Sequence, residues 1–579
     1  MNILIILVIS LSIFYLGYRF YAKFIEKIFD VDGSHTTPAV EINDGVDYVP
    51  TRKFVIFGHH FSSIAGGGPI IGPCVGIIFG YLPVWIWIVI GTVLIGAVHD
   101  YTALLASMRE KGRSMAEIAE KTFGRSGFLL FIGFTVIMLL MVTSVFLNLT
   151  TTALSSKYPL SHFGVTDVAI KTVVENGVRY AVVGGIASTS VIIITLFAPF
   201  IGFLLYKKKA NIFLISILAI VVCIIGIQVG IYFPIQVDSL TWMIVLSVYT
   251  LIAAGIPVWI ILQPRDFSNS FLLYGGIFGL ILGIVVLGVQ GTEMSAPALN
   301  IKEGSAKLGS MWPILFITVA CGAISGFHAL VAGGTSSKQI MKELPDAKTV
   351  GYGGMILEAV LALGVIIALS TGIEFQKAIC IVFPCETGAK ANPILAFALG
   401  MGGLLNKSLG LPLIYGAIFG ILMVEGFVVT TLDTAVRLNR YLFEELWRIL
   451  FKGKVPKLLN TYIVNSFICV VLMFTLAYFN VFVQLWKLFG TANQLLASLT
   501  LLTISLWLLK KGKKYLFVFI PGIFMFITTL ASLLIILFKQ YIPNKNYMLS
   551  AGDIVLVSLS LGLVVLIIKN FIKRKRTEQ

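Results

Sequence analysis

Four of the six histidines, His59, His60, His99 and His328, fall inside runs of apolar residues. Ionisable groups in such runs are costly to bury and usually face a cavity or a partner. Imidazole also titrates closest to neutral pH, which suits a proton carrier. His99 is followed by Asp100, a carboxylate able to orient a histidine or to take a proton itself. A hydrogen-bonded pair that only fixes helix packing explains the same two residues equally well. His59 and His60 are adjacent, and neighbouring helical positions do not share a face, so at most one is expected to point into a cavity. Glu358 and Glu425 are the other acids in apolar runs. Glu425, about one turn before Thr430 and Thr431, reads as a proton acceptor or as a neutral, hydrogen-bonded carboxyl.

Two of the histidine-bearing runs carry glycines that would break a helix. The first reads FGHHFSSIAGGGPIIGP from Phe57 to Pro73, the second CGAISGFHALVAGGTSSKQ from Cys321 to Gln339. Gly66, Gly67 and Gly68 before Pro69 are hard to keep helical. The Gly333–Gly334 pair reads either as a second break or as the end of a helix. Where a helix restarts, free backbone N–H groups and the helix dipole favour a carboxylate. Ser62, Ser63, Ser325 and Thr335 add hydroxyls beside the two breaks. With His59, His60 and His328 they make a candidate binding site for a small anionic solute. His60, His99, Asp100 and Glu425 are the candidates for a coupling proton.

These residues must be positioned by membrane-spanning helices. Of 579 residues 58% are hydrophobic and 12% charged, against roughly 25% charged in ordinary soluble domains. The mean hydropathy is +0.96. Apolar runs near 3–24, 54–80, 84–108, 127–149, 183–206, 211–233, 241–262, 271–290, 311–333, 352–373, 411–432, 460–480, 483–508, 515–538 and 552–571 give about fifteen spans of the length a bilayer requires. A further piece, 394–404, is too short to cross and fits a re-entrant or half helix. The first run lacks a positive leading segment and reads as a retained helix. Cys380 and Cys385 flank a predicted outer loop and are close enough in sequence to pair.

The net charge of +16 raises the question of a nucleic-acid partner, but the positive residues sit in short loops between apolar runs. Every second loop is basic, as topology signals are. Arg109, Lys111 and Arg113 mark one, and Lys207, Lys208 and Lys209 the next. By this rule the N-terminus is expected outside and the C-terminus inside. The two glycine-broken runs then cross in opposite directions, each opening a block of five spans. The expected architecture is an all-α polytopic membrane protein with a five-plus-five inverted-repeat core. It comprises a leading helix at 1–24, repeats at 52–233 and 309–508, two linking helices within 241–290, and two trailing helices with a basic tail at 515–579.

The segments VDYVPTRKFVIFGHHFSSIAGGGPIIGP (46–73), PVWIILQPRDFSNSFLLY (257–274), CGAISGFHALVAGGTSSKQI (321–340), TTLDTAVRLNRYLFEEL (430–446) and LWKLFGTANQLLASL (485–499) resemble the motifs of the carbon starvation protein A family, in family order. The resemblance implies a bacterial or archaeal inner-membrane transporter related to the amino-acid/polyamine/organocation superfamily. It also implies uptake of peptides or pyruvate during nutrient limitation, with proton symport in pyruvate-type members. In related folds the helix bearing Glu425 helps form a cation site against the first broken helix. Nothing in the motifs separates a peptide from pyruvate.

Arg265–Asp266, in the QPRDF turn, reads as a gate or a structural pair rather than a ligand, since turn-located pairs are usually solvated. Asp433, Arg437 and Arg440 are expected at the inner end of their helix as a gate or an ion-pair network. Asn493 and Gln494 are amides suited to hydrogen bonding across helices. No glycine-rich GK[ST] phosphate loop is present, which argues for a secondary transporter, without nucleotide or other cofactor. Two readings compete with proton-coupled symport. One is a membrane metal-site protein using His59, His60, His99, His328 and Asp100, disfavoured because no HExxH-like pair places two ligands on one helical face. The other is a nutrient receptor, disfavoured by short inner segments that leave no output domain. The expected partners are the solute, a proton and the lipid bilayer, with no enzymatic activity.

Overall fold

The computed structural model describes residues 1–163, 170–175, 177–385, 391–479 and 482–578. Among them, thirteen helices are long and apolar enough to cross a membrane. Two of the expected spans are not in that set. The run 241–262 forms a 17-residue helix, Ser239–Gly255, and the run 311–333 is divided into Met311–Thr318 and Gly326–Gly334. The piece expected near 394–404 is the 17-residue helix Pro393–Leu409. The junction between the spans expected at 460–480 and 483–508 includes residues outside the described set.

Polarity sorts the helices between centre and periphery. The most apolar span, Ile212–Tyr232, has only 28% of its most apolar stretch buried, whereas the least apolar, Lys53–Phe79 and Leu488–Lys510, reach 94%. Lipid tails are as apolar as leucine, so an all-hydrophobic helix gains nothing by moving inward. Helices carrying histidine, serine and amide groups must instead bury them against protein.

The first glycine-rich run breaks where it was expected to. Lys53–Ala65 stops at Gly66, whose φ of 47° and ψ of −149° place it in a region open to glycine. Gly68–Gly76 then restarts, with Pro69 in the first turn, where its missing N–H costs nothing. The second run corrects the expectation. Its break covers residues 319–325, ahead of His328, and Gly333–Gly334 closes the second half-helix. The two breaks touch, for a Cβ on Gly68 would lie 2.4 Å from the Cys321 side chain.

Two further readings change. QPRDF is not a turn; Leu262–Val289 is one helix, with Arg265 and Asp266 in its first turns and wholly buried. Asp433, Arg437 and Arg440 do not end their helix, which runs 38 residues from Leu413 to Leu450. Both errors come from taking charge as a sign of solvent. The chain is also not purely helical, since Tyr158–Pro159, Thr172–Glu175 and Val178–Ala181 form a small antiparallel sheet in the order first, third, second. Cys380 and Cys385 are joined by a disulfide.

Close packing of Pro393–Leu409 against the end of Gly354–Thr371 depends on glycine. A Cβ on Gly372 would lie 1.7 Å from the Gly400 carbonyl oxygen, and one on Gly403 would lie 1.9 Å from the Gly372 carbonyl. Gly372→Ala must therefore push two backbones apart, at an expected cost of about 1–3 kcal/mol. Thermal unfolding in detergent would register this as a lowered Tm. An unchanged Tm would show that the helix pair has slack to give.

Candidate functional site

A helix that ends inside a membrane leaves its last carbonyls without N–H donors. At the first break, three such oxygens find partners from elsewhere. Thr430 Oγ1 donates to the Ser62 carbonyl (2.7 Å) and Thr431 Oγ1 to the Ser63 carbonyl (3.0 Å), both from the long Leu413–Leu450 helix. The Ile64 carbonyl lies 3.1 Å from His328 Nε2, on the second half-helix. Ser63 Oγ adds a bond to Thr434 Oγ1 (3.1 Å), and Ser62 Oγ reaches the Asp266 carbonyl (3.5 Å).

His328 is the hinge of a buried proton-bearing cluster. Its Nδ1 lies 2.8 Å from Asp100 Oδ2, and Asp100 Oδ1 lies 2.7 Å from His99 Nδ1. Glu358 Oε2 stands 3.3 Å from His328 Nε2. All four side chains are fully buried. A carbonyl oxygen only accepts, so the contact with Ile64 requires a proton on Nε2. The Nδ1 contact then holds one further proton, either on the ring facing a carboxylate or on Asp100 facing a neutral ring. One aspartate thus joins two histidines, and one of those histidines joins the two broken helices.

His59 points to a different network. Its Nδ1 lies 2.6 Å from Asp266 Oδ2. Arg265 Nη2 donates to Asp266 Oδ1 (2.8 Å), and its Nη1 pairs with Asp433 Oδ2 (2.6 Å). The Tyr249 hydroxyl accepts from Arg265 and donates to Asp433 Oδ2 (2.8 Å). This connects the first half-helix, the Arg265 helix, Ser239–Gly255 and the long helix. One guanidinium faces two carboxylates, and a proton on His59 would balance the second. Removing one member of such a buried set typically costs about 3–5 kcal/mol, because the others are left as uncompensated charges.

Arg437 and Arg440 belong to a third cluster, separate from Asp433. Asp47 accepts from Arg437 Nη1 (2.9 Å), Arg440 Nη2 (3.2 Å) and the Tyr441 hydroxyl (2.6 Å). The same guanidiniums cap the end of Ser239–Gly255. Arg437 donates to the Ala253 (2.8 Å) and Ile256 carbonyls, and Arg440 donates to the Ala254 carbonyl (3.0 Å). Burial would raise the Asp47 carboxyl, but Arg440 and Arg437 outweigh it and hold it below its usual range. Sequence reading missed Asp47 and Tyr249. Asp47 was legible only as part of the VDYVPTR segment, and a lone tyrosine in an apolar run carries no signal at all.

Other expected residues stand apart from these networks. His60 Nδ1 bonds Ser336 Oγ (2.7 Å), while its Nε2 has no partner. His59 and His60 thus turn to opposite neighbours, as adjacent helical positions should. Glu425 is 1% exposed, with Oε1 unpartnered. Thr335 Oγ1 bonds within its own helix, to the Val331 carbonyl (2.8 Å). Ser325 and Asn493 bond each other (2.9 Å), and Asn493 Oδ1 accepts from Phe327 N–H (2.7 Å), capping the second half-helix. Gln494 Nε2 donates to the Ile324 carbonyl (2.5 Å) in the same break. The expected anion cradle at Gly66–Gly68 is packed shut. Cβ atoms there would meet Phe146 at 3.0 Å, Leu149 at 2.8 Å and Cys321 at 2.4 Å.

Comparison with known proteins places this arrangement. The family model described as carbon starvation protein CstA matches residues 2–381 and 370–532. The peptide transporter CstA of Bacillus subtilis is 30% identical, over 98% of this chain and 96% of that one. The pyruvate/proton symporter BtsT of Escherichia coli is 31% identical, over 95% of this chain and 83% of its own. A solved manganese transporter of Eremococcus coleocola overlays 92% of this chain and 99% of that one, with a TM-score of 0.46 and 12% identity. With motifs in family order, a matching model along most of its length and transporter relatives over nearly all of it, the chain belongs to the carbon starvation protein CstA family.

Proposed function

We propose that this protein is a secondary transporter importing short peptides or a pyruvate-like carboxylate by proton symport. The reading is supported by relatives named as peptide transporters and as a pyruvate/proton symporter. The observation that carries it is the buried His328 ring, whose Nδ1 meets Asp100 while its Nε2 meets the freed carbonyl of the first broken helix. Loss of the Nδ1 proton leaves the ring one proton for two acceptors, Asp100 on one side and the Ile64 carbonyl on the other, which couples a charge to the helix that must rearrange. The core is a five-plus-five inverted repeat of 52–233 and 309–508, with one leading helix, two linking helices within 241–290 and two trailing helices. It sits in a bacterial or archaeal inner membrane with the N-terminus outside and the basic C-terminal tail inside.

In this mechanism Asp100 and His328 carry the coupling proton, with His99 and Glu358 as neighbours that stabilise its two positions. Solute binds between the breaks once Phe146 and Leu149 withdraw from Gly66 and Gly67, exposing N–H groups at the restart of the helix to a carboxylate. Ser62, Ser63 and His60 lie on the half-helix that leads to this opening and turn to different neighbours. The Arg265–Asp266–Asp433–His59 set and the Asp47–Arg437–Arg440 set act as fixed struts, because every guanidinium in them is held by at least one carboxylate.

Uptake of labelled pyruvate and of labelled dipeptides into proteoliposomes, with and without an imposed proton gradient, tests the activity. One of the two solutes should accumulate faster with the lumen alkaline. Failure of both under both conditions would overturn the reading. Asp100→Asn and His328→Gln are expected to abolish gradient-driven uptake while gel filtration still shows a folded protein. Gradient-driven uptake at the wild-type rate in both variants would move the coupling proton elsewhere, with Glu425 the next buried carboxyl to test.

A further inference from the structure

Away from the buried networks, the loop after the first helix brings Asp32 and His35 beside Glu343, at the start of the Glu343–Thr371 helix. His35 Nδ1 lies 3.4 Å from Asp32 Oδ1 and 3.6 Å from Glu343 Oε2. One ligand atom from each of the three residues falls within 4.8 Å of the others. Both measured separations exceed an ordinary N–H···O hydrogen bond, about 2.7–3.2 Å. They match instead the edge of a coordination tetrahedron. Metal–ligand bonds of about 2.0–2.2 Å to imidazole and carboxylate put neighbouring ligands about 3.3–3.6 Å apart.

The surrounding residues hold these groups in place. The Ser34 N–H and hydroxyl both bond Asp32 Oδ1, at 2.9 and 2.6 Å. Glu343 has a side chain only 1% exposed; its Oε1 faces Arg109 Nη1 at 2.7 Å, while Oε2, the atom turned to His35, has no hydrogen-bond partner. Arg109 also bonds the Phe29 and Asp30 carbonyls, each at 3.0 Å, and so fixes the base of the loop. A buried carboxylate oxygen left without a donor beside an imidazole is an acceptor waiting for a cation.

We propose that Asp32, His35 and Glu343 bind one divalent transition-metal ion, of which Zn²⁺ is the best fit. One imidazole with two carboxylates suits Zn²⁺ or Mn²⁺ better than Mg²⁺ or Ca²⁺, which prefer oxygen alone. Two carboxylates against Arg109 leave the cluster with a net negative charge, which favours a cation over an anion. The bound ion ties the loop to the helix that carries Glu358 deeper in the membrane. It therefore restrains the same element that touches His328, and an effect on transport rate follows from binding.

The test uses full-length protein in nanodiscs, with affinity tag removed and treated with chelator, then dialysed against ⁶⁵Zn²⁺ and separately against Mn²⁺. The expected result is one Zn²⁺ per chain, with affinity reduced more than about tenfold in His35→Ala and in Asp32→Asn. Zn²⁺ should also raise the Tm of the wild type and leave that of His35→Ala unmoved. His35 is largely exposed, so its removal leaves folding intact even if Glu343→Gln unfolds by stranding Arg109. The proposal is overturned if the wild type takes up neither metal, or if His35→Ala binds Zn²⁺ as tightly as the wild type.

Discussion

A carbonyl oxygen that loses its helical N–H in the middle of a membrane has no water to turn to. That constraint organises this molecule. The break at Gly66 frees the carbonyls of Ser62, Ser63 and Ile64, and three donors from two other helices converge on them. Thr430 and Thr431 are neutral and permanent donors. His328 is different, because a histidine donates from Nε2 only while that nitrogen holds a proton. The break is therefore capped by two fixed groups and one titratable one, and the titratable group belongs to the other discontinuous helix.

Buried charge follows the same economy of partners. Arg265 lies between Asp266 and Asp433, with His59 and Tyr249 taking the remaining lone pairs and protons. Arg437 and Arg440 neutralise Asp47 and at the same time cap the carbonyls where Ser239–Gly255 ends. Arg437 and Arg440 thus offset their own desolvation by serving both a carboxylate and a helix end. Glu425 Oε1 has no such partner, and Glu358 faces only His328, 3.3 Å away.

Much of this was legible in the residues. Glycine before proline marked the first break, because the backbone requirement is local. The pairing of His99–Asp100 was readable as chemistry, and Asn493 and Gln494 were readable as amides that bond across helices. The second break was misplaced because Gly333–Gly334 supports two local readings, and only the contact with Asn493 and Gln494 settles the unwinding at residues 319–325. Arg265–Asp266 was assigned to a solvated turn, and Asp433 to the end of its helix, for a related reason. Charge in a sequence suggests water, while in this fold Arg265, Asp266 and Asp433 each have a partner more than 150 residues away.

The sequence by itself determined that the chain lives in a membrane, where its first glycine-rich span must break, and to which family its motifs belong. Hydropathy, backbone strain and motif order are properties of segments, and segments carry them wherever they fold. Tertiary structure alone decided which histidine meets which acid. Asp100 joins His99 and His328, His59 goes to Asp266, and His60 to Ser336. Those pairings depend on which helix faces lie together across hundreds of residues, and helical periodicity fixes a face without naming its neighbour.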